Sequence, residues 1–555
     1  MKALHFVILL STFLLLSCSK KTGDTTTPQI EPNFINSLVQ VNGSSYNGTV
    51  LNTNTINPVI KVSFNNALKQ STLSAGVLYN EANGSTVQFN ITYENRDSSI
   101  VLRPTSSLKG LTAYNLIVST SLQSVNNKNL QNPLTVSFNT GIDSTDKFPR
   151  ISDDALMDKV QQQTFKYFWD FGHPVSGLAR ERNSSGDIVT SGGSGFGIMA
   201  IVTAINRNFI TRAEGLARMQ KITGFLKNNA QKFHGAFPHW LNGATGVVVP
   251  FSAKDNGADL VETSFLMQGL LTARQYFNSA DAAETTLRND INQLWKGVEW
   301  DWFRQGNQQV LYWHWSPTFS WEINLKVQGW NEALITYVLA AASTTHTIPK
   351  TVYDAGWASN GTLKNNNIYY GISLPMGPVL GGPLFFEHYS FLGINPTGLT
   401  DQYANYKTQA VNHTKINYAY VVVNPLQHFG YSSQVWGLTA SDIPNGYTAS
   451  SPTNDVGVIA PTAALSSMPY TPKESMDALR FFYYKLGDKI FKEYGFVDAF
   501  KLSDPWFANS FLAIDQGPII IMIENHRSNL LWNLFTSCPE VKDGLIKLGF
   551  TAPYL

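Results

Sequence analysis

The stretch GWNEALITYVLAAAS, residues 329–343, is an apolar segment with a single carboxylate near its start, Glu332. Its alanine, leucine, isoleucine and valine content predicts a helix that is apolar on all sides and therefore buried. A carboxylate on such a helix loses its hydration, so it must be paired or used in chemistry. The stretch therefore predicts a helical core with a functional acid in the first turn of one helix.

Two other segments repeat this design. ADLVETSFLMQGLLTA, residues 258–273, opens with Asp259 and Glu262, and AIDQGPIIIMIENHR, residues 513–527, opens with Asp515. Asp259 and Glu262 are three residues apart, so they share one helix face. Each acid could also be an ordinary helix cap that only satisfies free backbone N–H groups, and the sequence leaves that alternative open.

Residues 150–555 alternate between uniformly apolar helical segments and segments with a charged face. Alternating buried and surface helices are typical of a closed ring of antiparallel helix pairs, so this region is predicted to form an (α/α)6 toroid. The starts of its inner helices, and hence Asp259, Glu262, Glu332, Asp455 and Asp515, are expected to converge on one face. The predicted helices lie near residues 153–171, 195–206, 211–230, 258–278, 282–302, 328–345, 398–413, 455–467, 472–490, 515–527, 528–536 and 540–548.

The N-terminus carries features of export. Residues 1–18 have a basic start and an apolar run ending in Leu-Leu-Ser-Cys, which resembles the lipobox of bacterial lipoproteins. Cys18 would become the lipid anchor of a periplasmic or outer-membrane lipoprotein of a Gram-negative bacterium, with an ordinary cleaved signal as the alternative. Cys538 is then left without a partner, and residues 19–32 would be a tether.

Residues 33–142 contain short segments with alternating apolar and polar residues, including VIKVSF, VQFNITYE, SIVLRP, YNLIVS and LTVSFNT. This period of two predicts a small β-sandwich. The segment LKGLTAYNLIVS and the later SFNTG resemble bacterial immunoglobulin-like domains that precede catalytic modules. We expect a spacer role, because the region has no carboxylate pair or aromatic platform.

The formal net charge is +1, only 14% of residues are charged, and the sequence has no basic cluster beyond Lys20-Lys21, so nothing in it favours binding to nucleic acid or an acidic polymer. Seven tryptophans lie within residues 295–330, and an aromatic cluster beside carboxylates suits stacking on sugar rings. Trp295, Trp300 and Trp302 are expected to pack between helices. The candidate substrate-binding residues are Trp313, His314, Trp315, Trp321, Trp330, Asn331, His388, Tyr389, Arg180 and Arg182.

Carboxylates with aromatic and neutral polar groups on one concave face are the requirements of glycoside hydrolysis. Glu332 suits the general acid because burial raises the pKa of a carboxyl group, although the N-terminus of a helix would oppose that rise. Asp515, beside Gln516 and Gly517, looks more polar and suits the base. The separation of the carboxyl groups would distinguish inversion, at about 6.5–9.5 Å, from retention, at about 5–5.5 Å.

The segments TFKYFWDF, SGGSGFG, DLVET, WHWSP, QGWNEAL, GPLFFEHYSFLG and AIDQGP resemble the bacterial glucoamylase-like family that includes the endo-β-1,2-glucanases of glycoside hydrolase family 144. The resemblance implies an (α/α)6 enzyme that cuts β-1,2-glucan with inversion and without a metal. It also implies Glu332 as the acid, with Asp259, Glu262 and Asp515 as the other site carboxylates. An exo-acting β-glucosidase of the same fold remains an alternative.

Other classes of protein are less well supported. The histidines show no ligand spacing of the HExxH type, so neither a metal nor another cofactor is expected. A polysaccharide lyase would need a cluster of basic residues that the site lacks. A non-catalytic glycan-binding lipoprotein is the serious alternative. We expect a monomer whose partners are a neutral oligo- or polysaccharide and, through the anchor, a membrane.

Overall fold

The computed structural model describes residues 32–555. The signal segment, Cys18 and almost all of the tether therefore lie outside the described residues. Residues 32–49, 59–105 and 115–136 form one compact unit, and residues 50–58, 106–114 and 137–555 form a second. None of the helices within residues 32–555 has the length and apolar character needed to cross a membrane.

The first unit contains a five-stranded antiparallel sheet. Its strands, in spatial order, are Ser44–Ser45, Asn36–Val41, Ile60–Phe64, Ser99–Pro104 and Phe89–Glu94. The central strand buries Ile60, Val62 and Phe64 and leaves the residues between them partly exposed. Val62 pairs with Ile100, which fixes the register. The alternating pattern in the sequence is thus the alternation of the two faces of the sheet.

Four further strands belong to the N-terminal region, and they also follow the predicted segments. Ala113–Val118 buries Tyr114, Leu116 and Val118, so period two again corresponds to one buried face. The other three strands are Leu51–Asn52, Val77–Glu81 and Leu134–Asn139. The expectation of a β-rich N-terminal domain is confirmed.

Residues 137–555 contain twelve α-helices of five or more residues. Short two- and three-stranded ladders connect them, including the pair formed by Ala258–Asp259 and His314–Trp315. The helices are Asp153–Trp169, Ser191–Asn206, Arg212–Asn228, Leu260–Tyr276, Ala282–Lys296, Leu334–Ala342, Tyr406–Val423, Pro461–Leu465, Pro472–Ile490, Ala513–Ser528, Leu530–Thr536 and Pro539–Leu548.

Buried and half-exposed helices alternate along this region, as the sequence predicts. Ser191–Asn206 and Leu260–Tyr276 are buried along almost their whole length, and Leu334–Ala342 is buried throughout. The helices between them, such as Ala282–Lys296, bury only one face. Ala513–Ser528, the last of the apolar helices, packs against Ser191–Asn206, the first.

Several predicted boundaries are wrong because local hydrogen bonds end or start the helix elsewhere. Glu332 is not in a first helical turn: the helix starts at Leu334. The side chain of Asn331 accepts a hydrogen bond from the Ala333 N–H at 3.0 Å, which closes a turn instead. The predicted helix 398–413 is observed as Tyr406–Val423, because the Asn405 side chain caps its start.

Two other predicted helices are shorter than expected. The predicted segment 282–302 ends at Lys296, and a separate 3-10 helix, Trp300–Arg304, follows it. The predicted segment 455–467 contains only Pro461–Leu465, because proline fits the first turn and starts the helix there.

Two buried helices approach each other so closely that no side chain fits between them. A Cβ atom at Gly269 would lie 2.2 Å from the carbonyl oxygen of Gly195, and one at Gly195 would lie 2.1 Å from the carbonyl oxygen of Phe265. Glycine at both positions therefore allows the backbones of Ser191–Asn206 and Leu260–Tyr276 to touch.

We expect Gly269→Ala to lower the free energy of unfolding by about 2–3 kcal/mol or to prevent folding, because the added methyl group must displace a backbone. Gly224→Ala is the matched control: Gly224 also lies in a helix, but a Cβ atom there meets nothing within 4 Å. That variant should be unchanged or more stable by about 0.5–1 kcal/mol. Urea denaturation measures both, and equal stability of the two variants would contradict this packing.

Candidate active site

A cavity of about 540 Å³ lies where the loops enter the buried helices. Its wall combines aromatic rings with charged side chains, which is the composition of a pocket for a neutral polar ligand. The residues lining it are Glu181, Arg182, Thr190, His239, Trp240, Phe251, Glu262, Phe385, Tyr389, Ala440, Tyr447, Leu512 and Ile514.

Glu262 lies in the first turn of Leu260–Tyr276 and reaches the cavity from its base. Its Oε2 atom accepts a hydrogen bond of 2.8 Å from the Gly192 N–H, at the start of the neighbouring helix. Burial raises the pKa of Glu262, and the negative charge of Asp259 adds to this effect. The arrangement holds one carboxyl group at the junction of two helix starts, as the sequence predicts for this residue.

Asp259 is the cap of the same helix. Its Oδ1 atom accepts hydrogen bonds from the N–H groups of Val261 and Glu262 at 3.0 and 2.9 Å. Its Oδ2 atom lies 3.1 Å from Nδ1 of His239 and 3.5 Å from Nε2 of His314. The capping alternative that the sequence left open therefore describes the contacts of Asp259, with both oxygens engaged.

Two histidines and two aspartates form one charge network beside the cavity. His314 also contacts Asp255, at 3.3 Å. Burial alone would raise the pKa of Asp259, but the hydrogen bonds of the two imidazoles hold this pKa below its usual range. For His239 the effects are reversed: burial alone would lower its pKa, but Glu262 and Asp259 raise this pKa to about 9. His239 is therefore a cation at neutral pH.

His239, Asp255 and Asp259 are also the one group within residues 32–555 whose ligand atoms lie close enough together to hold a metal ion. Sequence spacing does not indicate this group, because His239 precedes Asp259 by 20 residues and this separation matches no compact ligand motif. The cationic imidazole of His239 balances carboxylate charge in the network without an ion, and the neighbouring aspartates raise the pKa of His314 in the same direction. The absence of a metal remains a prediction.

Glu332 lies just before Leu334–Ala342, with its carbonyl oxygen bonded to the Ser390 hydroxyl. Burial raises the pKa of its carboxyl group to about 7, and the negative charges of Glu262 and Asp259 contribute to the rise. Glu332 is therefore near these two acids and is substantially protonated at neutral pH, which is the state that a general acid requires.

Asp515 shares its surroundings with two other aspartates. Burial raises the pKa of Asp515 well above its usual value, and Asp498 adds to this shift through its charge and a hydrogen bond. The second oxygen of Asp498 accepts the Asp442 N–H at 2.6 Å, and Asp442 pairs with Arg182 at 3.2 Å. The sequence suggests polar surroundings for Asp515, whereas in the structure Asp515 is buried and lies beside the carboxyl group of Asp498.

Tyr389 connects these acids electrostatically. Burial raises the pKa of its hydroxyl group well above the usual value, and Asp515, Glu332 and Glu262 each raise it further because their negative charges are near. Tyr389 also lines the cavity. The three carboxyl groups predicted from separate helix starts therefore lie near one tyrosine that lines the cavity, and Glu262 lines the cavity as well.

The predicted substrate-binding residues divide into two groups. Arg182 and Tyr389 line the cavity. The others have contacts elsewhere among the described residues: His388 is buried and bonds to Ser467, and Trp330 packs against Trp357 and Phe391. Arg180 donates to two backbone carbonyl groups. Asn331 belongs to the turn before Leu334–Ala342, and His314 belongs to the charge network. The remaining candidates, Trp313, Trp315 and Trp321, are half-buried.

Sequence reasoning also missed residues that the cavity contains. Glu181, His239, Trp240, Phe251 and Tyr447 line it without having been assigned to it. A signal existed for three of them, because the unusual loop HGAFPHWLNGATGVVVPFSAKDNGA carries His239, Trp240 and Phe251. Glu181 and Tyr447 lie in short segments with no chemical pattern, so only the fold reveals them.

The tryptophan assignments need one correction. Trp295 and Trp300 are buried, as expected, but Trp302 is 40% exposed and does not pack between helices.

Asp455, expected at the same face as the other acids, bonds instead to Tyr431 and the Gly457 N–H.

Comparisons with known proteins identify the family. A family model described as "Putative glucoamylase" matches residues 324–539, and one described as "Bacterial Ig-like domain" matches residues 38–140. A crystal structure of a "putative glucoamylase" from Bacteroides uniformis has 54% sequence identity and a TM-score of 0.73, and covers 74% of this chain and 100% of that one. The chain belongs to the glucoamylase-like family.

Two further members of the family have named activities. An endo-β-1,2-glucanase from Chitinophaga pinensis, solved with sophorotriose and glucose, is 52% identical with a TM-score of 0.72, covering 73% of this chain and 100% of that one. An exo β-1,2-glucooligosaccharide sophorohydrolase from Parabacteroides distasonis is 48% identical over 420 residues, which are 72% of this chain. The match spans 58% of that relative's own length.

Proposed function

We propose that this glucoamylase-like protein is a glycoside hydrolase that cleaves β-1,2-glucan. The observation that carries the proposal is a group of three acids near Tyr389, which lines the cavity: Glu262 in the cavity wall, Asp515, and Glu332, whose pKa is about 7. Glycoside hydrolysis needs one carboxyl group held protonated and a second group that can accept a proton. The named activities of the relatives from Chitinophaga pinensis and Parabacteroides distasonis support β-1,2-glucan as the substrate.

In the proposed mechanism Glu332 gives its proton to the glycosidic oxygen while water attacks the anomeric carbon from the opposite face. Asp515 accepts the proton of this water. Two buried neighbouring carboxyl groups cannot both ionise readily, so Asp498 and Asp515 share one proton. The hydrogen bond between them raises the pKa of Asp515 and lowers that of Asp498, so the shared proton favours Asp515. Asp515 therefore acts as base only in the minor form of the pair, in which the proton lies on Asp498. Attack by water on the face opposite the leaving group inverts the configuration at the anomeric carbon, so the proposed mechanism is an inverting one.

The architecture that suits this reaction is the (α/α)6 toroid. The contact between the last and the first apolar helices supports ring closure. The first of them, Ser191–Asn206, packs both against Leu260–Tyr276, which carries Glu262, and against Ala513–Ser528, which carries Asp515. The relatives include both an endo-acting and an exo-acting enzyme. Release of sophorose from the non-reducing end is therefore the second candidate mode of action on the same substrate.

The first test compares β-1,2-glucan, soluble starch and laminarin as substrates, with products resolved by chromatography. We expect short β-1,2-linked products from the first polymer alone. Glu332→Gln should lower kcat by about 10²–10⁴-fold, because an amide cannot donate the proton, while substrate binding remains. Glu493→Gln, at an exposed glutamate, is the control and should keep full activity. Cleavage of starch alone would overturn the proposal.

The protonated state of Glu332 also predicts a pH dependence. The acid must carry its proton, and the pKa of Glu332 is about 7, so kcat/KM should fall as the pH rises above about 7. The residual activity of Glu332→Gln should lack this alkaline limb, because glutamine does not titrate. Initial rates between pH 5 and 9 on one substrate measure both profiles. An alkaline limb that persists in the variant would assign the acid to another group.

We also propose that the protein is a lipoprotein held at the periplasmic or outer-membrane surface through Cys18. The Leu-Leu-Ser-Cys sequence supports this proposal. In a Gram-negative host, the wild-type protein should partition with membranes, and Cys18→Ser should lose the lipid and leave the membrane fraction. Equal membrane partitioning of the two proteins would contradict lipid anchoring.

A further inference from the structure

Trp302 lies on the surface although two other aromatic residues of the same short helix, Trp300 and Phe303, are buried. It belongs to the 3-10 helix Trp300–Arg304, in which Trp300 and Phe303 are fully buried and anchor the backbone. Trp302 itself is 40% exposed, the one tryptophan among the described residues that is this accessible. A large exposed aromatic side chain keeps apolar area in water and is typical of a contact surface.

The indole ring of Trp302 is held in a fixed orientation. The ring of His234 stacks on it with centroids 3.9 Å apart and an angle of 15° between the planes. Nδ1 of His234 lies 2.9 Å from Glu299, which fixes the imidazole in turn. Trp321 lies 6.3 Å from Trp302 at an angle of 35°. An aromatic surface that is already rigid loses little conformational entropy when a ligand binds.

Two carboxylates with unused acceptor positions lie close to Trp302 in the chain, and one of them, Glu299, contacts the stacked His234. Glu299 is 40% exposed and Asp301, which pairs with His346 at 3.0 Å, is 46% exposed. An ionised carboxylate has several acceptor positions, so one histidine contact leaves room for hydroxyl groups of a ligand. An apolar ring face bordered by hydrogen-bond acceptors matches a pyranose ring, which has an apolar C–H face and a rim of hydroxyl groups.

This surface is distinct from the cavity but joined to it through one loop. Among the described residues, Trp302, Trp321, Glu299 and Asp301 are absent from the cavity wall. Trp321 belongs to the loop that begins at His314–Trp315, and His314 pairs with Asp259 of the charge network. A long polymer could therefore contact both places on one molecule, whereas a short oligosaccharide occupies the cavity alone.

We propose that Trp302 and Trp321, with Glu299 and Asp301, form a second glucan-binding surface that holds polymeric substrate outside the catalytic cavity. The identity of the ligand as a β-linked glucan rests on the proposed function. The surface raises the local concentration of chain near the cavity, so it acts on polymer and not on the shortest cleaved oligosaccharides.

The binding test uses the full-length Glu332→Gln protein, which is expected to consume the ligand about 10²–10⁴-fold more slowly than the wild type. It is run in native gels that contain β-1,2-glucan and an excess of sophorose to occupy the cavity. The Glu332→Gln protein should still migrate more slowly in these gels, because polymer binds outside the cavity. The double variant Glu332→Gln/Trp302→Ala should lose most of this retardation. Tyr93→Ala, at an exposed aromatic residue of the N-terminal unit, is the control and should leave retardation unchanged. Equal retardation with and without Trp302 would overturn the proposal.

The kinetic test uses Trp302→Ala in the active enzyme. We expect kcat/KM on long β-1,2-glucan to fall by about threefold to tenfold and kcat/KM on the shortest cleaved oligosaccharide to stay unchanged. An equal loss on both substrates would overturn the proposal, since it would indicate damage to the cavity or the fold. Failure of the wild type to cleave β-1,2-glucan would overturn the proposed function instead, and the two failures are therefore distinguishable.

Discussion

The close approach of two helix backbones at Gly195 and Gly269 is the constraint on which the site depends. With glycine at both positions, the starts of Ser191–Asn206 and Leu260–Tyr276 come near enough for the Gly192 N–H to bond to Glu262 at 2.8 Å. A side chain at Gly192 would collide with that carboxyl group. The position of an acid in the cavity is thus set by the absence of side chains in the neighbouring helix.

Burying several acids in one place creates an electrostatic cost that the fold distributes in two ways. On one side, His239 and His314 neutralise Asp259 and Asp255. On the other side, burial and mutual repulsion keep Glu332 and the Asp498–Asp515 pair partly protonated. The same dry surroundings therefore produce both an ionised network and a set of proton-carrying acids.

The aromatic residues divide between stability and recognition according to their depth. Trp295 and Trp300 fill the space between helices, and Trp240 and Phe251 line the cavity. Trp302 follows the buried Trp300 by two residues, yet it lies on the surface. A 3-10 helix has three residues per turn, so Trp300 and Phe303 share the buried face and Trp302 does not. Tryptophan count along the chain therefore indicates where sugar chemistry is expected, but not which ring meets the sugar.

The sequence by itself determined the β-rich N-terminal region, the helical remainder and the alternation of buried and surface helices, because periodicity is a local property. It also singled out Glu262, Glu332 and Asp515, because an isolated charge in an apolar segment is local too. It did not determine that Glu332 precedes its helix, since that depends on Ser390 and Asn331. Only the tertiary structure brought His239, Tyr447 and Asp498 to these acids. Their pKa values and partners arise from segments far apart in the chain, and proximity of that kind leaves no pattern in the order of residues.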